Sequence, residues 1–166
     1  MLGIKTVSIP DLEAWCKIHF KTARSNPLYS GAALYINDVR VTELVFPETL
    51  DFISSYAFLG CDNLEKIIIP DGVTEIGGFA FDYYSSSTDF VVIGKGVTKI
   101  GKSAFGDFLY PEKVYYNGTA EQWSNVEIDA DNSMLGNVII YYYADSKPTE
   151  AGDYWHYVDG IPTAWR

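Results

Sequence analysis

Cysteine is scarce: Cys16 and Cys61 are the two thiols in 166 residues. Two cysteines form no disulfide framework for a chain of this length, and no Cys/His grouping has zinc-site spacing. An apolar core must therefore hold the fold. Long apolar runs are also missing, none approaching the roughly 18 residues of a membrane span, and residues 1–7 carry no apolar leader segment. Membrane insertion is not expected. Positive charge is in short supply, with 12 Lys+Arg against 22 Asp+Glu and a formal net charge of -10. That balance argues against a phosphate-tracking nucleic-acid surface and favours neutral or cationic partners. Histidine occurs twice, and no Gly-x-Ser-x-Gly, phosphate-binding loop, HExxH or dinucleotide fingerprint is present. Neither enzymatic activity nor a cofactor is expected.

What is abundant is apolar and aromatic surface, at 48% and 16%, with 13 tyrosines. This is too much stacking surface for a disordered chain, and the length suits one domain. The apolar residues recur with a fixed period. Residues 44–58, 67–81 and 91–105 align without a gap, each opening on a β-branched or apolar triplet. Triplets starting at 44, 67, 91, 114 and, more loosely, 138 give steps of 23, 24, 23 and 24 residues. A period of this length signals a solenoid, whose coils cannot bury an apolar face singly and so stack on their neighbours.

Each repeat position has a physical reading. The triplet is a short strand whose first and third side chains share a face. Pro47, Pro70 and Gly94 then end the strand. Leu50, Val73 and Val97 refill the core past the corner, with Ile53, Ile76 and Ile100 three residues on. Ala57-Phe58, Ala80-Phe81 and Ala104-Phe105 read as small/large pairs closing the far side of each coil.

The ends differ from the repeat. Asp11 to Phe20 reads as a helix after Pro10, with Leu12, Trp15, Cys16 and His19 on one face, forming an N-terminal cap. Leu34 to Leu44 reads as a hairpin turning at Asn37-Asp38. Thr119 and Gln122 have capping-box spacing and open a short helix through Trp123, whose ring would replace the missing phenylalanine of the fourth coil. Past a polar link, Trp155 to Trp165 reads as a C-terminal hairpin with an Asp159-Gly160 turn, Pro162 marking an edge strand. The chain thus divides into an N-terminal cap (1–43), a solenoid (44–143) and a linker with terminal hairpin (144–166), within one domain.

These blocks have a family likeness. Ile69-Pro70-Asp71-Gly72-Val73-Thr74-Glu75-Ile76-Gly77, Ala57-Phe58-Leu59-Gly60-Cys61 and Leu64-Glu65-Lys66-Ile67-Ile68-Ile69-Pro70 strongly resemble the BspA-type, or Treponema pallidum-type, leucine-rich repeat. Residues 114–123 resemble the unit that often closes such arrays, so the likeness spans roughly residues 34–143. The arcs at 82–89 and 106–111 depart from the pattern and are expected to bulge. The fold expected is a right-handed, β-rich leucine-rich-repeat solenoid of about five coils with short parallel strands. The resemblance implies a secreted or surface-exposed bacterial protein, some relatives being adhesins for host matrix proteins or other cells.

Residues that could carry chemistry have simpler readings. Cys16 and His19 form the available thiol/imidazole pair, but the packed face of a capping helix explains both. Cys16 and Cys61 could bridge only if the N-terminal helix crosses the Cys61 arc. Asp129-Ala130-Asp131-Asn132 resembles part of a calcium loop, yet Met134 stands where glycine is needed. Asn117-Gly118-Thr119 is formally a glycosylation sequon and reads as a turn. A glycan hydrolase would need two carboxylates about 5 to 9.5 Å apart in one cleft.

The favoured site is a surface. With the first and third triplet residues inward, the middle ones face outward as a ladder of Val45, Ile68, Val92, Tyr115 and Ile139, extended by Tyr83, Tyr84 and Tyr110 on adjacent arcs. The competing reading is that the terminal hairpin or polar side chains cover it. The function expected is non-catalytic protein binding, with a spacer or terminal unit of a larger surface protein as the alternative.

Overall fold

A three-residue β-branched run is too short to be stable alone, so its backbone groups must be satisfied by the coils above and below. The computed structural model, which describes residues 3–82, 88–106, 111 and 113–166, has this arrangement. The chain opens with β1 (Thr6–Ile9), α1 (Leu12–Cys16), β2 (Ala33–Ile36) and β3 (Val39–Arg40). It then alternates longer and two-residue strands: β4 (Glu43–Val45), β5 (Phe52–Ile53), β6 (Lys66–Ile69), β7 (Glu75–Ile76), β8 (Phe90–Ile93), β9 (Lys99–Ile100) and β10 (Lys113–Tyr116). After α2 (Ala120–Ser124) come β11 (Glu127–Ile128), α3 (Ser133–Asn137), β12 (Ile140–Tyr143), β13 (Tyr154–Val158) and β14 (Ile161–Ala164).

Strands β4, β6, β8, β10 and β12 lie side by side in parallel, and the two-residue strands form a second parallel sheet, β5-β7-β9-β11. Leu44 opposes Ile67, Ile67 opposes Val91 and Val91 opposes Val114, so the repeat alignment is also the strand register. These residues, with Leu50, Val73, Val97, Ile53, Ile76 and Ile100, fill one buried core between the two sheets. The fifth strand departs from expectation. Val114 opposes Ile140, not Val138, because α3 intervenes and uses extra chain to bury Met134 and Leu135 before the strand begins.

The far side of each coil is closed by stacked phenylalanines. Phe58 lies on Phe81 at 5.5 Å between ring centroids and Phe81 on Phe105 at 5.3 Å, the planes within 14°. Such pairs contribute about 0.5–1.5 kcal/mol each beyond their buried area. Backbone bonds run alongside: Phe58 N–H donates to Ala80 C=O and Phe81 N–H to Ala104 C=O, both at 2.8 Å. The coils approach so closely that a Cβ added to Gly101 would stand 2.6 Å from the backbone nitrogen of Gly78. Glycine is required there to let backbone meet backbone.

Two buried asparagines finish the ends of this arc. At one end Asn26 Nδ2 donates to Ala57 C=O at 3.0 Å while its Oδ1 accepts from Leu28 N–H at 2.8 Å. At the other end Asn132 Oδ1 accepts from Phe105 N–H at 3.0 Å, and Nδ2 donates to Gly101 C=O at 3.0 Å. One bond of each, to Ala57 C=O and from Phe105 N–H, takes the place of the Phe-to-Ala backbone bond that a further coil would have made.

At the N-terminus, Asp11 accepts from Ala14 N–H at 2.9 Å to start α1, and the buried Trp15 donates its indole N–H to Ala57 C=O at 2.9 Å. The helix is shorter than expected and ends at Cys16, whose carbonyl accepts from Ser54 N–H at 2.9 Å beside β5. The chain then turns away, leaving His19 exposed against Phe52 at 6.1 Å instead of on the helix face. β1, which periodicity did not announce, pairs in parallel with β2. β2 pairs antiparallel with β3 through Asn37 and Asp38, whose φ values of 48° and 65° suit a tight hairpin turn. Trp123 on α2 is set edge-on to Tyr116 at 5.0 Å, packing on the last strand of the coil core.

Phe81→Ala removes the middle ring of the stack and is expected to cost about 3–5 kcal/mol. Asn132→Ala strands buried backbone groups and should cost about 1–3 kcal/mol. Denaturant unfolding of both variants against wild type measures these losses.

Candidate functional site

Strand alternation turns Val45, Ile68, Val92 and Tyr115 to the outer face of the longer-stranded sheet, aligned by register in that order. The next rung is Tyr141, which opposes Tyr115. Ile139 precedes β12 and stands one side-chain repeat upstream of that rung, exposed at 55%. Tyr83, Tyr84 and Tyr110 lie outside the described residues.

The ladder is not free along its length. Val45 is 55% exposed and Ile68 half-buried, whereas Val92 and Tyr115 retain 2% each. The cover is Trp155, itself 0% exposed. β13 joins β12 in parallel for two pairs, Tyr142 with Tyr154 and Tyr143 with Trp155, then pairs antiparallel with β14. Asp159 and Gly160 make the connecting turn with φ of 51° and 79°. Trp155 sits 5.1 Å from the Tyr115 ring, 5.3 Å from Tyr143 and 4.8 Å from Tyr157. Its indole N–H donates to Tyr116 C=O at 2.8 Å, satisfying the polar tip of a fully buried ring. Val92, Tyr115 and Trp155 thus form a second small core, with Ile68, Phe90, Tyr141 and Tyr143 packed around it.

Burial raises the Tyr115 phenol, with Tyr141 adding to it. Burial also raises Tyr157, and the carboxylates of Asp71 and Glu48 add to the effect. Asp71 is itself held in place: its Oδ1 accepts from Lys95 N–H at 3.0 Å and from Asn117 Nδ2 at 2.8 Å, tying three coils together. Glu43 on β4 is 2.6 Å from the Lys66 ammonium. The Val45–Ile68 end of the ladder remains open, rimmed by the Glu43–Lys66 pair and Glu48, and Ile139 is open at the other end.

The other candidate groups are not assembled into a reactive site. Cys16 and Cys61 are free and buried, each thiol pushed up to about 12 chiefly by burial, which keeps them protonated and poorly nucleophilic. His19 is exposed and stacks against Phe52, whereas Cys16 is buried. Asp131 is 3.3 Å from Lys102, and Asn132 is buried as the arc's terminal clamp. Among the described residues no group of three His, Cys, Asp or Glu side chains could hold a metal ion. Asp82 and Asp131 line one open depression of about 470 Å³ with Phe79, Ser103, Gly106 and Ser133. Among the described residues no helix is long and apolar enough to cross a membrane.

Of the two sequence readings, cover by the terminal hairpin holds for Val92 and Tyr115, although sequence reasoning did not name Trp155 and Tyr157 as the covering residues. Their spacing of two in a strand places both rings on one side, and that was the available signal.

The repeated strand, corner and Ala-Phe arc now stand in register, and residues 31–126 match the family description "BspA type Leucine rich repeat region (6 copies)". The chain belongs to the BspA-type leucine-rich repeat family. No curated protein and no solved structure matches it. Membership of the BspA-type family fits a repeat module for interaction with other proteins. In this module Trp155→Ala should bare Tyr115 and Val92 at a cost of about 3–5 kcal/mol. The checks are denaturant unfolding and stronger binding of a hydrophobic dye to the folded variant.

Proposed function

We propose that this chain is a non-catalytic protein-binding module, secreted or displayed at a bacterial cell surface, whose partner is a host matrix protein or another cell's surface. In this reading α1 caps the first coil, the β13–β14 pair closes the last, and the coils between them present the binding surface. The observation that carries the reading is the repeat array of the family match, ending in an uncovered apolar strip at Val45 and Ile68. Exposed apolar surface rimmed by polar groups is the usual mark of an interaction site. The net charge of -10 favours a cationic or neutral partner over an acidic one. Protonated thiols and the absence of a known catalytic motif support a non-enzymatic role.

A spacer or terminal unit of a larger surface protein is the second reading, favoured by Trp155 filling the middle of the outer face. Retention of immobilised chain on extracellular-matrix proteins and on whole cells separates the two. Binding is expected for wild type and about tenfold weaker binding for Val45→Lys/Ile68→Lys, with the melting temperature little changed. A chain that retains nothing is a spacer.

A further inference from the structure

The outer face is exposed at the same end where the sheet itself is unfinished. The larger sheet terminates on β14 at one edge and on β4 at the other. The β14 edge is blunted. Val158 opposes Ile161 across the two-residue turn, so Pro162, one position on, directs its nitrogen to the open side, where it has no N–H to offer. The β4 edge carries no such device. Phe46 N–H donates to Ile68 C=O at 3.2 Å and Glu65 N–H to Thr42 C=O at 2.7 Å, so the even-numbered residues face β6. Glu43 and Val45 therefore direct their N–H and C=O groups to the opposite side. β2 is the strand that would meet them there: Leu34 C=O accepts from Val41 N–H at 2.9 Å. However, β2 starts at Ala33, and its antiparallel line stops before reaching Glu43 and Val45. Among the described residues no backbone group bonds to either.

The side chains beside this edge are apolar and mixed in charge, with Glu43 paired to Lys66 at 2.6 Å and Arg40 to Asp62 at 3.6 Å. Val45 and Val39 are exposed at 55% and 69%. A groove of about 260 Å³ runs along Ile36, Val39, Arg40, Val41, Thr42 and Glu43. Glu48 follows the strand, exposed and, among the described residues, without an ion pair. A second copy of the chain is a poor occupant, because it would bring another -10 and another Glu43 and Glu48 to the contact.

Resting on the reading of the chain as a protein-binding module, we infer that the β4 edge accepts an extended segment of a partner protein as an added strand. Glu43 and Val45 share the outer face, so on that face the segment carries an apolar side chain over Val45 and a basic one toward the Glu43 and Glu48 carboxylates, with small residues between. Main-chain bonds to Glu43 and Val45 supply the anchoring, and the side chains of that face supply the selectivity.

The test uses an end-capped hexapeptide in which lysine and valine take turns at every second position with alanine between them, the same peptide N-methylated at every peptide bond, and a counterpart with glutamate in place of lysine. The valine/lysine peptide should bind and slow hydrogen exchange at the Glu43 and Val45 amides about tenfold, with the other two peptides binding at least about tenfold more weakly. Val45→Pro, which removes an edge donor facing away from β6, should weaken binding to a similar extent. If that variant does not fold, the N-methylated peptide decides the matter on the wild-type chain. Absence of binding, equal binding of the N-methylated peptide, or protection confined to other amides overturns the inference. Matrix retention that persists while these peptides fail removes the edge site and leaves the protein-binding reading standing.

Discussion

Backbone hydrogen bonding between parallel coils fixes their separation at about 4.8 Å, and every repeated side chain must tolerate a copy of itself at that distance. Phenylalanine meets the demand by stacking, as Phe58, Phe81 and Phe105 do with neighbouring ring centroids 5.5 and 5.3 Å apart. Charge meets it by alternating. Glu75, Lys99 and Glu127 are successive register partners, as are Glu43 and Lys66, so like charges are not placed opposite one another there. Glycine meets it by having no side chain, at Gly101 where backbone passes over backbone. The high apolar fraction is therefore a long, thin core assembled from equivalent layers.

An array built this way has two unsatisfied ends, and the chain treats them by different chemistry. Asn26 and Asn132 replace missing coils with amide groups, and the carbonyl of Cys16 accepts from Ser54 N–H just past β5. On the outer face the β13–β14 pair does something further. Trp155 converts the middle of an apolar ladder into a second core, which leaves Val45 and Ile68 open at one end and Ile139 at the other. Exposure along the ladder is thus set by where the terminal strands stop covering the sheet.

The repeat was legible in the sequence because period and register coincide: the triplets at 44, 67, 91 and 114 are the paired residues of β4, β6, β8 and β10. The fifth triplet was placed two residues early because 138–143 is an unbroken apolar run, in which alternation cannot choose a register. The outward direction of Val45, Ile68, Val92 and Tyr115 followed from alternation, but their exposure did not. Burial of Val92 and Tyr115 depends on Trp155, 40 positions and more along the chain, and a ladder read locally carries no trace of that contact. The asparagine clamps were invisible for a related reason: their partners are backbone carbonyls and amides, which leave no residue signature.

The central claim is that bonds between coils hold the four stacked repeats as one unit. Native-state amide hydrogen exchange, read residue by residue, tests it most directly. The account predicts that the amides of Phe58, Phe81, Gly101 and Asn117, each bonded to a neighbouring coil, are among the slowest and exchange through a single shared opening. Coils that exchange independently, each with its own opening free energy, would contradict it.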